Sequence, residues 1–373
     1  MIPLLVDLEM EWRGGQNQAL LLLKGLQARG HAAELVAARG SALGERAAAS
    51  GVRVHFVPRG FFTLPAAWKI FRLVRSGRYA LVHANEAHAV TAAWLAGVHR
   101  RVSFVISRRV GYPIGKSPFA RRRYAAAHCI AANSQWVAGL AAQTGAPREK
   151  IRVVYEGAEI PPAPSTELRR QARAHWGAAE GAPLLGCTGV FLPDKGQEWL
   201  IHALAALRPE FPQIRLLLAG DGPLRAQLEA LARELGVSNA VLFPGFVKDV
   251  ENVYAALDLF LLPSFFEALN NSLLAAMACE VPSIVFAKGA LPEIIEHEKS
   301  GLLVSGPDVA EIREAVARLL RDPVLAKQLG RAGRARVQQI FSAATMVEKT
   351  LELYEELLAG RGAPDGQERK SAA

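Results

Sequence analysis

Short apolar runs alternate along this chain with segments whose apolar residues recur every three or four positions. Apolar runs at residues 2–8, 32–37, 53–57 and 80–83 predict buried strands, and the segments between them predict helices. The same alternation returns with the run at 183–191. Strands that alternate with helices are typical of parallel sheets, so the pattern predicts an α/β protein.

One junction between a strand and a helix carries the strongest chemical signal. The apolar run over 257–262 predicts a strand that ends before Pro263, and helical spacing resumes at Asn270 or Asn271. Glu267 therefore stands just ahead of a helix N-terminus, whose free N–H groups and dipole favour an anion. We expect this site to bind a ligand that has both hydroxyl and phosphate groups, such as a sugar nucleotide.

Further candidates lie in the first half of the chain. Gly14 and Gly15 separate the first strand from a helix expected over about 16–29, and the missing Cβ lets a backbone approach a phosphate. His83 and the pair Arg108–Arg109 end predicted strands, where ligands of α/β sheets gather, and guanidinium groups match phosphate well. No histidine or acid spacing typical of a metal site accompanies them.

Composition limits the class of protein. The 373 residues suffice for two ordinary domains. No apolar run approaches the roughly 20 residues of a membrane-spanning helix, and the acidic first residues do not match a signal peptide. Cys129, Cys187 and Cys279 lie far apart in apolar segments, which favours buried thiols over disulfides or zinc ligands. We therefore expect a cytoplasmic protein.

Charge is distributed unevenly. Residues 1–160 hold 22 Lys and Arg against 9 Asp and Glu, whereas residues 161–373 hold 22 against 26. This predicts contact of the first half with an anionic acceptor or membrane surface; arginine-rich coding bias explains it nearly as well. Residues 65–75 predict an amphipathic helix bearing Trp68 and Phe71. We expect this aromatic face to pack on the sheet, and the alternative is contact with a membrane surface.

The junction around Glu267 resembles the donor site of retaining glycosyltransferases of the GT-B fold, family 4 (glycosyl transferases group 1), cell-envelope type. Their pattern is P-S-x-x-E-G-F-G-x-x-x-x-E-A-M-A-x-G-x-P, and this chain keeps Pro263, Ser264, Glu267, Ala276, Met277, Ala278 and Pro282. The second glutamate of the pattern is Ala275 here. The resemblance implies that Glu267 is a catalytic residue that contacts the donor sugar.

Other segments extend the resemblance to about residues 2–358. Gly189 and Lys195-Gly196 are similar to the family's G-R-x-x-x-x-K-G, with Val190 at the arginine position, and W-R-G-G-x-x-Q is similar to its N-terminal loop. The resemblance implies that Lys195 is catalytic and holds the departing diphosphate. It assigns donor binding to Gly14, Gly15, Gly189, Val247, Leu269, Asn270, Asn271 and Ser272. Acceptor-side candidates are Arg13, Gln16, His83, Arg108 and Arg109.

The family's architecture implies two Rossmann-like domains that face each other across a cleft. We expect an acceptor-side domain over residues 1–163, a donor-binding domain over 164–343, a helix over 344–360 that crosses back to the first domain, and a disordered tail over 361–373.

The expected reaction is metal-independent transfer of a hexose or related sugar, without a cofactor, from a nucleotide sugar to a hydroxyl of a saccharide or lipid-linked acceptor. It would serve cell-wall, lipopolysaccharide or glycolipid synthesis, in the cytoplasm or at the inner face of the cell membrane, with no nucleic-acid partner. Two alternatives stay open. One is a binding protein on the same fold without turnover, and the other is a UDP-sugar 2-epimerase.

Overall fold

Two parallel sheets organise the chain. A computed structural model describes residues 2–58, 63–115 and 117–362. The chain divides into unit 1, residues 1–157 and 343–373, and unit 2, residues 158–342. The boundary expected at residue 163 lies inside unit 2. Most of the tail expected over 361–373 falls outside the described residues.

Unit 1 contains a seven-stranded sheet with helices on both faces. Its strands are β1 Pro3–Asp7, β2 Glu34–Ala38, β3 Arg53–Val57, β4 Leu81–Ala84, β5 Ser103–Arg108, β6 Cys129–Ala132 and β7 Ile151–Val153, in the order β3-β2-β1-β4-β5-β6-β7. Its helices are α1 Gly14–Ala28, α2 Ala42–Ala49, α3 Thr63–Arg75, α4 Ala87–Leu95, α5 Pro118–Ala125 and α6 Gln135–Gln143. Every described pairing is parallel, as the alternating pattern predicts.

Unit 2 repeats this architecture around a six-stranded parallel sheet. Its strands are β8 Leu184–Thr188, β9 Arg215–Ala219, β10 Val241–Gly245, β11 Leu259–Leu262, β12 Ser283–Phe286 and β13 Leu302–Val304, in the order β10-β9-β8-β11-β12-β13. Its helices are α7 Thr166–His175, α8 Gln197–Leu207, α9 Arg225–Glu234, α10 Val250–Ala256, α11 Asn271–Ala278, α12 Leu291–Ile294, α13 Val309–Arg321 and α14 Pro323–Ile340. The last helix, α15 Ala343–Gly362, belongs to unit 1.

Successive side chains of the unit 1 strands pack into two separate cores, one on each face of the sheet. Leu4 and Val6 of β1 face the core shared with α3, α4 and α5, whereas Leu5 faces the core shared with α1, α2 and α15. Successive side chains of a strand point to opposite faces, so the central strands are buried on both faces and mostly apolar. The three cysteines are buried thiols, as expected.

Two local expectations are wrong. Helix α1 begins at Gly14, so the two glycines form its first turn rather than a loop ahead of it. In α3 the buried face is formed by Ala66, Ala67, Ile70 and Val74; of the two aromatic side chains expected to pack on the sheet, Phe71 is partly buried against this core, while Trp68 is 63% exposed. Small alanines let the helix approach the sheet closely, and Trp68 lies outside that apolar stripe.

Candidate functional site

The loops that follow β8, β11 and β12 meet at the carboxyl edge of the unit 2 sheet. Strand order reverses between β8 and β11, which makes this a topological switch point, the usual place for ligands in an open α/β sheet. Phe265 N–H donates to the Asp194 carbonyl at 2.9 Å, which ties the β11 loop to the β8 loop. Ala290 N–H donates to the Glu267 carbonyl at 2.9 Å, which ties in the β12 loop.

Two glycines allow these loops to approach each other. Gly196 has φ +66°, and a Cβ there would lie 2.4 Å from the Pro263 carbonyl oxygen. Gly289 has φ +56°, and a Cβ there would lie 2.6 Å from the Glu267 carbonyl oxygen. L-residues with a Cβ rarely adopt this left-handed backbone, and the contacts leave no space for one. Glycine is therefore required at positions 196 and 289, in the two loops that pack against the loop of Glu267.

The side chains at this junction form a charged cluster. Lys195 Nζ lies 2.8 Å from Glu267 Oε1, and Asn270 Nδ2 donates to the same oxygen at 3.0 Å. Glu267 is only 7% exposed, which excludes a carboxylate solvated in a loop. The Lys195 side chain is 22% exposed and also lies 3.7 Å from Asp194 Oδ2. The structure thus brings the two predicted catalytic residues together.

Asn270 serves both the helix and the carboxylate. Its Oδ1 accepts from Leu273 N–H at 2.8 Å, which makes it the N-cap of α11. Its Nδ2 turns towards Glu267. The first N–H groups of a helix have no intrahelical acceptor and carry partial positive charge. The N-terminal end of α11 therefore offers further N–H groups that can bind an anion beside Lys195.

The remaining unit 2 candidates lie at or just before the start of α11 and in the loops that follow β8 and β10. Asn271 and Ser272 open α11, and Ser272 hydrogen-bonds to buried Tyr254, whose pKa burial raises to about 12. Leu269 is buried and serves packing. Gly189 follows β8 with φ +153°. Val247 is half-buried in the loop after β10.

The unit 1 candidates near β1 have separate environments. Arg13 is exposed and pairs with Glu11. Gly14 and Gly15 begin α1, and a Cβ at Gly15 would meet no atom within 4 Å. Gln16, expected to face a ligand, is instead buried and donates to Asp7 Oδ2 at 3.0 Å. The buried carboxylate requires that donor, so the amide points into the unit.

The acceptor-side candidates His83, Arg108 and Arg109 have partners inside unit 1. His83 Nδ1 lies 2.6 Å from Tyr354 Oη and Nε2 lies 2.7 Å from Ser107 Oγ, so both ring nitrogens have partners. Burial lowers the pKa of His83 to about 3.

The two arginines have partners of their own. Arg108 donates to the Tyr112 carbonyl. Arg109 donates to Asn85, and its Nε lies 3.4 Å from Glu156 Oε1. Both guanidinium groups are thereby engaged within unit 1.

Sequence reasoning missed the polar network that these residues join. Asn85 donates to Asp7, Asn133 donates to Glu156 at 3.1 Å, and Glu86 caps α4. Burial raises the pKa of Asp7 despite the amides that donate to it. The pKa of Glu86 is also raised, by burial and then by Asp7. Each of these residues ends or closely follows a strand, and that shared position was the available signal.

Two family models match the chain. Glycosyltransferase Family 4 matches residues 12–160, and Glycosyl transferases group 1 matches residues 169–336. The matched ranges correspond to most of unit 1 and most of unit 2.

Individual proteins are similar over shorter stretches. A 2-deoxystreptamine glucosyltransferase of Streptomyces kanamyceticus is 32% identical over 59% of this chain and 58% of its own. A GDP-mannose-dependent alpha-(1-6)-phosphatidylinositol monomannoside mannosyltransferase of Mycolicibacterium smegmatis is 34% identical over 46% of this chain and 47% of its own. The chain thus spans about half the length of these curated relatives.

A solved structure supports the fold. The Anabaena protein HepE in complex with UDP and glucose superposes with a TM-score of 0.81 at 23% identity, covering 95% of this chain and all of the other. Two sheets of this kind, with the last helix in the first unit, are the GT-B architecture that the sequence predicts. Together with the two family models, these matches place the chain in the family 4, group 1 glycosyltransferases of the GT-B fold.

Proposed function

We propose that the protein transfers a sugar from a nucleotide sugar to an acceptor hydroxyl with retention of configuration. The observation that carries the proposal is the pairing of Lys195 Nζ with Glu267 Oε1 at 2.8 Å, at the switch point of the unit 2 sheet. A carboxylate accepts hydroxyl hydrogens and an ammonium group binds phosphate oxygens. The pair therefore presents complementary groups to the sugar and to the diphosphate of one ligand.

The chemistry follows from which charges need stabilising. As the sugar leaves the diphosphate, negative charge grows on the phosphate oxygen. Lys195 and the N-terminus of α11 would stabilise that charge in a site that holds them in advance. A glycosidase-like double displacement needs two carboxylates about 5–5.5 Å apart on either side of the bond. The second carboxylate of this cluster, Asp194, is 41% exposed and pairs with Lys195 at 3.7 Å, so we assign the sugar to the buried Glu267 and no nucleophilic role to Asp194. We therefore infer front-face attack assisted by the departing diphosphate, with no resident cofactor.

The proposed acceptor is a saccharide or a lipid-linked molecule of the cell envelope. The Mycolicibacterium smegmatis relative is named for a phosphatidylinositol monomannoside, and the Streptomyces kanamyceticus relative for 2-deoxystreptamine. The excess of cations in residues 1–160 favours a phosphorylated or lipid-linked acceptor over a neutral one.

A second function rests on two substitutions. Ala275 lies in α11 where the family pattern has glutamate, and Val190 follows β8 where it has arginine. Both changes remove polar groups that would hold a nucleotide. A binding protein that no longer turns over its ligand would retain the Lys195–Glu267 pair and lose catalysis.

Calorimetry and product analysis separate these functions. The whole protein is titrated with UDP-, GDP- and ADP-sugars, then incubated with each radiolabelled donor and a membrane extract. Transfer predicts binding of one nucleotide class and label in a glycoside. Binding without labelled product would favour the binding protein, and free epimerised nucleotide sugar would identify an epimerase. No binding of any nucleotide sugar would overturn the proposal.

A further inference from the structure

The two helical layers of unit 1 differ sharply in charge. The segments 63–75, 87–101 and 117–125, which contain α3, α4 and α5, hold eight Lys and Arg and no Asp or Glu. On the opposite face of the sheet, α1, α2 and α15 hold four Lys and Arg against five Asp and Glu. General arginine richness would raise both layers alike, so coding bias does not account for the difference.

The basic layer also exposes apolar side chains. Leu64 is 67% exposed, Trp68 63%, Leu95 45% and Phe119 47%. Among the described residues, none of the exposed large apolar side chains lies on α1, α2 or α15. Helices α3, α4 and α5 bury their other sides in one core, so their outer sides face the same direction. We call this outer surface the α3–α5 face.

Ring contacts connect these side chains with the cations. Trp68 stacks on Phe71 with centroids 5.7 Å apart, and Arg101 lies 5.1 Å from the centre of the Phe71 ring. Trp94 meets Phe119 edge-on at 5.2 Å. The ion pairs described within unit 1 involve other cations, so those of the α3–α5 face are not neutralised by carboxylates there.

We propose that the α3–α5 face docks on an anionic lipid bilayer. Tryptophan, leucine and phenylalanine side chains partition into the headgroup and acyl boundary, and arginines around them bind lipid phosphates while their stems stay in apolar surroundings. Neither signal alone holds a protein firmly, but apolar insertion and a cluster of cations act together. The face supplies both across three adjacent helices.

The cations and the exposed apolar side chains of the α3–α5 face together favour a bilayer over nucleic acid or an acidic protein. Nucleic acid would pair with the cations but leave Leu64 and Leu95 in water. An acidic protein surface would require a complementary apolar patch of matching shape, whereas a fluid bilayer accommodates scattered apolar side chains. The inference is independent of the Lys195–Glu267 site, because it uses residues of unit 1 alone.

Vesicle flotation tests the inference with the whole protein. Vesicles of phosphatidylcholine alone are compared with vesicles that also contain phosphatidylglycerol. We expect the protein to float with the anionic vesicles only, and less of it as salt rises from about 0.1 M to about 0.5 M, because screening shortens the reach of exposed charges.

Two variants and one control locate the contact. Arg72→Glu with Arg75→Glu reverses charge on α3 and should weaken vesicle binding by tenfold or more, on the order expected from the attraction of each cation to an anionic leaflet. Leu64→Ser with Trp68→Ser removes two apolar side chains that would insert into the bilayer and leaves the net charge unchanged. This variant should also bind vesicles more weakly. Lys24→Glu with Lys327→Glu makes the same net change at exposed positions outside the face and should bind as the unchanged protein does.

Three results would overturn the inference. They are equal binding to neutral vesicles, equal loss in the Lys24/Lys327 control, or unchanged binding in both face variants. An oligonucleotide that binds the face while anionic vesicles do not would assign it to nucleic acid instead. Calorimetry with the nucleotide sugar is run on each variant, because an intact donor site with lost vesicle binding separates this inference from the proposed function.

Discussion

The carboxyl edges of the two sheets use charged residues in opposite ways. In unit 1, Asp7 is 1% exposed and accepts hydrogen bonds from the side-chain amides of Gln16 and Asn85. His83 and Arg109 form hydrogen bonds with other residues of unit 1. In unit 2, the charged pair Lys195–Glu267 lies at the switch point, and the lysine remains partly exposed. One edge is an internal polar network, and at the other we propose that a ligand replaces the internal ion pair.

The difference shows that position at a strand end is not sufficient for a binding role. Both sheets place polar residues at the edge where ligands gather. In unit 2, glycines with positive φ let three loops close around a carboxylate, whereas the described unit 1 carboxylate Asp7 is held by side-chain amides. Variants at the two edges should therefore fail differently: those in unit 2 should lose ligand binding and turnover, and those in unit 1 should lose stability.

The largest effect is expected at the charged pair. Lys195→Ala and Glu267→Ala should each lower turnover by roughly 10²–10³-fold or more, because each removes a group that stabilises the transition state. Circular dichroism should show both variants folded. Lys327→Ala, at an exposed position of α14, is the control and should keep full turnover. Wild-type turnover in either site variant would contradict the assignment.

Replacements of Asn270 separate capping from support of Glu267. Asn270→Ser keeps a good N-cap but loses the amide donor, and it should lower kcat about tenfold with little loss of stability. Asn270→Asp also keeps the cap but places a second carboxylate beside Glu267, so its loss should be larger. Steady-state kinetics and urea unfolding measure both effects. Wild-type kcat in both variants would show that Asn270 acts only as a cap.

Gly196→Ala tests the close approach of the loops. Its Cβ would lie 2.4 Å from the Pro263 carbonyl oxygen, whereas a Cβ at Gly181, which has a similar φ of +75°, meets nothing within 4 Å. Both variants should pay about 1–2 kcal/mol for the left-handed backbone. Only Gly196→Ala should lose more stability and donor affinity. Calorimetry and urea unfolding report both quantities, and equal behaviour would remove the steric argument.

His83→Ala should act on stability alone. It leaves the hydroxyls of Tyr354 and Ser107 without their described partner, which should cost about 2–4 kcal/mol of unfolding free energy. Donor affinity, measured by calorimetry well below the melting temperature, should stay unchanged. A folded variant with lost acceptor transfer and normal stability would restore His83 to a binding role.

Acid should destabilise unit 1 through the same histidine. Burial lowers the pKa of His83 from 6.5 to about 3, so the unfolded chain binds the proton more tightly than the folded one. Stability should therefore fall as pH drops from 6.5 towards 3, by up to about 1.4 kcal/mol per pH unit. His83→Gln should show a shallower decline in urea unfolding across that range. Parallel curves would exclude His83 as the source.

The sequence predicted the architecture well but not the internal partners of the unit 1 site candidates, for a physical reason. Alternating apolar runs report burial directly, so they predict strands, helices and parallel sheets. The chain around Glu267 also carries local constraints, a proline stop and a cap, that are visible in sequence. The partners of His83 and Arg109 come from positions such as Tyr354 and Glu156, far away along the chain, and no local pattern encodes such pairings. The exposure of Trp68 was not predicted, because another stripe of α3, which contains small alanines, packs on the sheet and leaves Trp68 outside the contact.

A crystal structure with a bound nucleotide sugar tests the central claim most directly. We expect a diphosphate oxygen within hydrogen-bonding distance of Lys195 Nζ and a sugar hydroxyl on the Glu267 carboxylate, with their present mutual contact lengthened or broken. A ligand bound elsewhere, with Lys195 still 2.8 Å from Glu267, would contradict the account.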